Sequence, residues 1–262
     1  MPFIQSKGLR YYSFELLEGE LVWQGVFTRQ GGVSPAPWGS LNTGGLSGDK
    51  RENVVENRRR IFSVFNRPVE SIYDVWQVHS ADVKIADAPR PLDQPHEKAD
   101  AIVTNRADVT LFMRFGDCVP ILLYDPMQRV VALAHAGWLG TVGNVVGETV
   151  NQMQARFGCK PADVLAGIGP SICPDHYEVG ADVVARVQSV FGAEASAVLI
   201  ERDGKTWFDL WQANALLLSW AGLHSHHIQI SGVCTAGNLD DWYSHRGEYG
   251  KTGRFGALLA LK

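Results

Sequence analysis

The stretch from Cys118 to His135 constrains the fold more tightly than any other part of the chain. Val119 to Tyr124 (Val-Pro-Ile-Leu-Leu-Tyr) and Arg129 to Ala134 (Arg-Val-Val-Ala-Leu-Ala) are apolar runs of strand length, separated by the turn-like Asp125-Pro126-Met127-Gln128. The pattern predicts a β-hairpin. If the four-residue turn pairs Tyr124 with Arg129, Cys118 lies directly opposite His135. Opposed residues share a sheet face with Cβ atoms roughly 4.5–5.5 Å apart. A thiolate and an imidazole at that separation can share one metal ion, or the imidazole can deprotonate the thiol. A one-residue slip or a bulge would send them to opposite faces.

Further strands are expected at about 21–28, 72–86, 100–104, 110–116, 164–168, 197–201 and 228–234. Four stripes of helical period accompany them. The first is Val54, Ile61, Phe62 and Phe65, and the second runs from Val142 through Val145, Val146, Thr149 and Met153 to Phe157. Val183, Val184, Val187, Val190 and Phe191 form the third, and Leu210, Asn214, Leu217, Leu218 and Ala221 the fourth. Apolar strands alternating with single amphipathic helices argue an α/β or α+β domain with helices covering the sheets. The hairpin at 119–135 makes the sheets mixed.

The 262 residues, 45% hydrophobic and 20% charged, suit one folded domain over residues 1–262. The net charge of −4, with acids and bases interleaved, offers no basic stripe for nucleic acid. Met1-Pro-Phe-Ile-Gln-Ser-Lys7 lacks the form of a signal peptide, and no apolar run approaches membrane-span length. The cytoplasm is therefore expected, with no membrane partner. Cys118, Cys159, Cys173 and Cys234 show neither CxxC spacing nor a disulfide framework, and free thiols are expected. Cys159 and Cys234 read as small buried hydrophobes.

Within the expected strand Asp74–Val83, alternation puts Gln77 and His79 on one face, just before the polar break Ser80-Ala81-Asp82. His79 is either a core histidine satisfied by a carbonyl or, with Cys118 and His135, the third ligand of a zinc site with an open fourth position. After His135 the chain enters Ala136-Gly137-Trp138-Leu139-Gly140, a tight turn or an exposed helix N-terminus suited to phosphate or an oxyanion. The glycine-rich loops Thr28–Ser34, holding Arg29, and Ser40–Gly45, holding Asn42, match no P-loop or dinucleotide fingerprint. They are substrate loops or plain loops. Arg246 and Arg254 lie where a phosphate could be gripped. His224, His226 and His227 read as a solvated turn, and Arg58-Arg59-Arg60 as the wet face of a helix.

Taken in order, the segments 28–34, 40–42, 56–58, 77–79, 99–101, 117–120, 134–138, 167–170, 177–180, 234–235, 244–246 and 252–254 form a series covering nearly the whole chain. That series resembles a bacterial family named variously laccase-domain protein, polyphenol oxidase, purine nucleoside phosphorylase and peptidoglycan editing factor. The resemblance implies an α+β fold, a four-layer α/β/β/α sandwich with mixed sheets, shared with a toxin of the cysteine-deamidase type. It implies a zinc ion held by His79, Cys118 and His135, which are then also the catalytic residues. Arg29, Asn42, Gln77, Gly137 and Arg246 are the expected substrate contacts. The implied activities are phosphorolysis of adenosine, inosine, guanosine and methylthioadenosine, and deamination of adenosine. The chain departs from the family pattern at Arg246-Gly247-Glu248, where paired arginines precede an acid in many members, and at Asp175-His176, where many carry a cysteine.

The laccase name implies copper. A blue-copper centre takes two histidines, a cysteine and an axial ligand, and a trinuclear cluster needs many more histidines. The chain has 8 histidines, several in unrelated places, and no His-Cys-His run. Zinc is expected instead, with a purine nucleoside and phosphate as small-molecule partners. The alternative uses the same residues without metal: Cys118 as a nucleophile activated by His135, a hydrolase or amidase suited to editing peptidoglycan precursors. A non-catalytic binding module would have no need for a converging Cys/His/His set.

Overall fold

A computed structural model of the chain describes residues 2–19 and 21–262. In chain order its elements begin with β1 (Phe3–Ser6), β2 (Leu9–Tyr12), β3 (Val22–Phe27) and α1 (Arg51–Val64). There follow β4 (Ile72–Tyr73), β5 (Val83–Ile85), β6 (Ala101–Thr104), β7 (Thr110–Phe115), β8 (Val119–Asp125) and β9 (Val130–Ala136). The second half contains α2 (Trp138–Val142), α3 (Val145–Phe157), β10 (Leu165–Ile168), β11 (Glu178–Val179) and α4 (Ala181–Phe191). It closes with β12 (Leu199–Arg202), β13 (Lys205–Phe208), α5 (Leu210–Trp220), β14 (Ile228–Ile230) and β15 (Phe255–Leu261).

Two six-stranded sheets, ordered β1-β2-β3-β15-β7-β4 and β14-β10-β8-β9-β6-β5, stack face to face, and β11-β13-β12 form a small third sheet. Both large sheets are mixed, since β4–β7, β5–β6 and β10–β14 pair in parallel and their other pairs are antiparallel. Strand alternation builds the layers. On β7, Leu111, Met113 and Phe115 point into the core between the sheets, where Leu122, Tyr124, Val131 and Leu133 meet them. Phe112 points the other way, onto Ile61 and Phe62 of α1. On β8 and β9, Ile121, Leu123, Ala132 and Ala134 face Val146, Val150 and Met153 of α3 and Leu217 of α5. The result is the expected α+β fold in four layers, with one helix outside the first sheet and a group of helices outside the second.

Local structure departs from the sequence expectation in four places. The hairpin register is shifted: Tyr124 pairs with Val131 and Pro120 with His135. The Asp125 carboxylate accepts the Met127 and Gln128 N–H groups at 2.8 and 2.9 Å, and Arg129 takes φ +52°. The loop is therefore Pro126–Arg129, and the strands extend by one pair. The expected strand 72–86 is broken into β4 and β5, because the Asp100 carboxylate binds the Val78 and Ser80 N–H groups and folds the intervening chain into a turn. The expected helix through Val142 is divided at Asn144, whose φ of +58° lets its side chain cap α3. The strand expected at 197–201 is β12, but its partners β11 and β13, the hairpin β1–β2 and β15 lie outside the expectation. β15 is central to the first sheet, and all seven of its residues are buried.

Candidate metal centre

His79 sits on the turn between β4 and β5 in the left-handed region, with φ +61°. The turn, not strand alternation, aims its ring at Cys118, placing Nε2 3.8 Å from the Cys118 sulfur. Cys118 precedes β8. Two residues further, Pro120 pairs with His135, so Cys118 and His135 are diagonal neighbours on one sheet face. One donor atom from each of His79, Cys118 and His135 lies within 4.8 Å of the others. The two imidazole centroids are 5.0 Å apart.

Asp100 organises the centre, and sequence reasoning did not single it out. The buried His135 donates from Nδ1 to Asp100 Oδ1 at 2.8 Å, which turns Nε2 toward Cys118; Nε2 carries the second proton while the pair is charged and offers its lone pair once a metal displaces that proton. Asp100 Oδ2 accepts from Ser80 N at 2.6 Å, from Ser80 Oγ at 3.1 Å and from Val78 N at 3.1 Å. One carboxylate thus fixes the His135 ring and the turn that carries His79. Asp117, at φ +81°, does the same for the other wall. It accepts from Thr235 Oγ1 and Arg246 N, both at 2.7 Å. Gly137 is required by close approach: a Cβ there would lie 2.9 Å from the Cys118 sulfur and 2.9 Å from His79 Cδ2.

The electrostatics favour a charged pair. Burial pushes the Cys118 thiol up, but His135 and His79 outweigh it and hold it at about 6. Burial pushes His135 down, while the Cys118 sulfur and Asp100 raise it to about 9. The Tyr177 hydroxyl is pushed up by burial and by the Cys118 charge, so it remains a proton donor. The Arg246 guanidinium stands 5.2 Å from the Tyr177 ring and donates to Glu178 O at 3.1 Å. Beside His79, a cleft of about 410 Å³ is lined by Ser80, Leu139 and Arg186, among others.

The expected substrate contacts are distributed unevenly. Gly137 lies against the centre, and Arg246 reaches its wall through Asp117. The Gln77 amide is spent on Arg114, donating to its carbonyl at 2.7 Å and accepting its N–H at 3.0 Å. Arg29 ties three loops together, donating to Gly39 O and Leu239 O at 2.9 Å and to Glu248 Oε1 at 3.0 Å. Asn42 is fully buried, bonding Ser47, Asp49, Gly44 and the Arg254 N–H. His224, His226 and His227 lie together on a turn preceding β14. Arg58 is not on a wet face: it is largely buried, 3.6 Å from Asp74.

Residues 23–262 match the family model described as multi-copper polyphenol oxidoreductase laccase. The chain belongs to this family. It is 37% identical over 244 residues to the purine nucleoside phosphorylase YlmD of Bacillus subtilis, covering 91% of this chain and 88% of the relative. It is 39% identical over 234 residues to a purine nucleoside phosphorylase of Deinococcus radiodurans, covering 89% and 87%. The crystal structure of YlmD from Geobacillus stearothermophilus superposes with a TM-score of 0.93 at 34% identity, over 100% of this chain and 99% of that one. No helix among the described residues is long and apolar enough to cross a membrane.

Proposed function

We propose that residues 1–262 form one catalytic domain, a cytoplasmic, zinc-dependent purine nucleoside phosphorylase that also deaminates adenosine. The observation that carries this reading is the convergence of His79, Cys118 and His135, in a chain whose relatives bear the phosphorylase name. Two imidazoles and one thiolate suit zinc with an open position. The Asp100–His135 bond supplies the outer contact that such a ligand needs. The same three donors begin a blue-copper set, so the family description makes copper the competing metal. When bound, the metal would supply positive charge where negative charge develops on phosphate or on the departing purine.

The chain's own groups do the rest. The nucleoside occupies the cleft beside His79, and Arg246 holds phosphate near the ribose. Tyr177, kept protonated, donates a hydrogen bond to the charged reactants. A phosphate oxygen bonds to the anomeric carbon as the glycosidic C–N bond breaks, and the purine leaves with its electron pair and takes up a proton. Gly137 keeps the space above the sulfur open. Gln77, Arg29 and Asn42 act by holding the walls rather than by touching substrate.

The decisive experiment combines metal analysis with turnover. Adenosine and phosphate should yield adenine and ribose 1-phosphate, with about one zinc at this centre, and His79→Ala should abolish the reaction with the fold intact. Without phosphate, adenine release should stop while conversion of adenosine to inosine continues. Equal adenine release without phosphate would mean a hydrolase. One observation favours a second reading: Cys118, His135 and Asp100 form a nucleophile–base–carboxylate chain, with the thiol held at about 6. Full turnover after thorough chelation would establish that metal-free hydrolase or amidase.

A further inference from the structure

A second set of soft donors lies on the other side of Asp117. Cys173 follows β10, and His176 is three residues on, its N–H donating to Cys173 O at 3.1 Å, so both side chains occupy one turn. A parallel bridge between Ser171 and Cys234 brings the segment after β14 alongside. His176 Nδ1 lies 3.2 Å from the Cys173 sulfur and 3.4 Å from the Cys234 sulfur, and the three donor atoms fall within 4.8 Å of one another. A tetrahedral zinc with ordinary Zn–S and Zn–N bonds holds its ligand atoms about 3.6 Å apart.

Both sulfurs address the same ring nitrogen, which offers either one lone pair or one proton, so one of the two contacts can be an S–H···N hydrogen bond. The sulfurs are also within hydrogen-bonding reach of each other, so the three soft donors form a closed triangle. Cys234 also accepts the Cys173 N–H at 3.3 Å, which holds its sulfur against the turn that carries the other two donors. Gly237 leaves room for the imidazole, since a Cβ there would lie 3.0 Å from His176 Cε1. The nearest acid in sequence, Asp175, is engaged with Arg202 at 2.8 Å.

We propose that Cys173, His176 and Cys234 bind a second divalent cation of the zinc class, with its fourth position toward solvent beside the exposed His176. Binding displaces one proton from each thiol to solvent and leaves the imidazole neutral. The ion would staple the segment after β10 to the segment after β14. Both segments serve the first centre: Ile172 N donates to Asp117 O at 3.0 Å, Thr235 Oγ1 donates to Asp117 Oδ1, and Tyr177 follows His176 directly.

The test uses the full chain, purified under reducing conditions, stripped with chelator and titrated with Zn²⁺ and Co²⁺. Cys118→Ser should retain one tightly held zinc, and its cobalt form should show thiolate-to-metal charge-transfer absorption. Adding His176→Ala to Cys118→Ser should weaken that binding at least tenfold, and adding Cys173→Ser should remove it. His176 is exposed, so its variant tests the site even if Cys173→Ser does not fold. If the first centre takes no metal, wild type and Cys118→Ser will hold one zinc each, and the proposal survives. Zinc content unchanged by His176→Ala and by Cys173→Ser would overturn it. So would a Cys173–Cys234 disulfide persisting in the reduced protein, or uptake of copper with exclusion of zinc.

Discussion

Replacing Asp100 by Asn changes one oxygen to an NH₂ group and leaves the side chain's shape unaltered, yet it should disable the first centre. Oδ2 accepts three donors, two of them backbone N–H groups, whereas among the described residues Oδ1 accepts His135 Nδ1–H alone. The amide oxygen of Asn will therefore stay with Val78 and Ser80, because turning NH₂ toward them would strand buried donors at about 1–3 kcal/mol each. The NH₂ group then faces His135 Nδ1, which must become an acceptor. The proton moves to Nε2, and the lone pair that should face the metal is lost. Outer-shell contacts of this kind are worth about 10–100-fold in metal affinity, or roughly 1.4–2.7 kcal/mol. The loss of a charge-assisted bond should lower folding stability by about 1–3 kcal/mol. Competition with a chromophoric chelator reads the first quantity and urea unfolding the second. Zinc affinity within twofold of wild type would refute the tautomer reasoning. A stability loss alone would mean that Asp100 only folds the Val78–Ser80 turn.

Gly137→Ala should weaken metal binding at least tenfold without unfolding the chain, because φ is −71° and only the close contacts with Cys118 and His79 object. Iodoacetamide labelling of Cys118 in metal-free protein should reach half its maximal rate near pH 6; a midpoint near 8.5, that of an ordinary thiol, would remove the case for the charged pair. Asp74→Asn should cost about 3–5 kcal/mol in urea unfolding, since it removes the buried carboxylate from Arg90 at 2.8 Å and from Arg58 and Arg114 at 3.6 Å. Burial pushes the Asp74 carboxyl up, but the His96 hydrogen bond and the Arg114 and Arg58 charges hold it far below the usual range. Its contribution is complete above the unfolded value of about 3.9 and disappears as pH falls toward the lower folded one. Wild-type stability should thus drop more steeply below pH 4 than that of the Asn variant.

What the sequence reveals depends on whether the determining contact is local. The apolar stripes of α1, α4 and α5 are local, and most of each finds a core, although Val190 of the α4 stripe is exposed. The division at Asn144 rests on one residue's left-handed backbone, which hydrophobic period does not register. β15 reads Phe-Gly-Ala-Leu-Leu-Ala-Leu, a run with nothing to distinguish strand from buried helix until β3 and β7 pair with it across the chain. The turn carrying His79 depends on Asp100, twenty residues further on, so alternation along an imagined strand gave the wrong backbone. Asp100, Asp117 and Tyr177 all lie in segments of the family series, but only their partners in space give them roles. The Cys173, His176 and Cys234 set was invisible for the same reason, since Cys234 joins the other two only through the parallel bridge to Ser171.

The hairpin shows why a wrong register can still bring the right residues together. Pairing Tyr124 with Arg129 puts Cys118 opposite His135; the observed pairing of Tyr124 with Val131 puts Pro120 there instead. The difference is two residues, one full period of the strand, so every side chain keeps its face. Apolar alternation specifies that parity strongly, because Ile121 and Leu123 must reach the helices while Leu122 and Tyr124 reach the opposite sheet. It does not distinguish registers that differ by two, and there the Asp125 carboxylate decides by capping the turn one residue later. Cys118 thus becomes a diagonal neighbour of His135, not a direct one. The extra reach opens the space into which His79 is delivered from its own turn, and Gly137, now directly beside Cys118, has to be small.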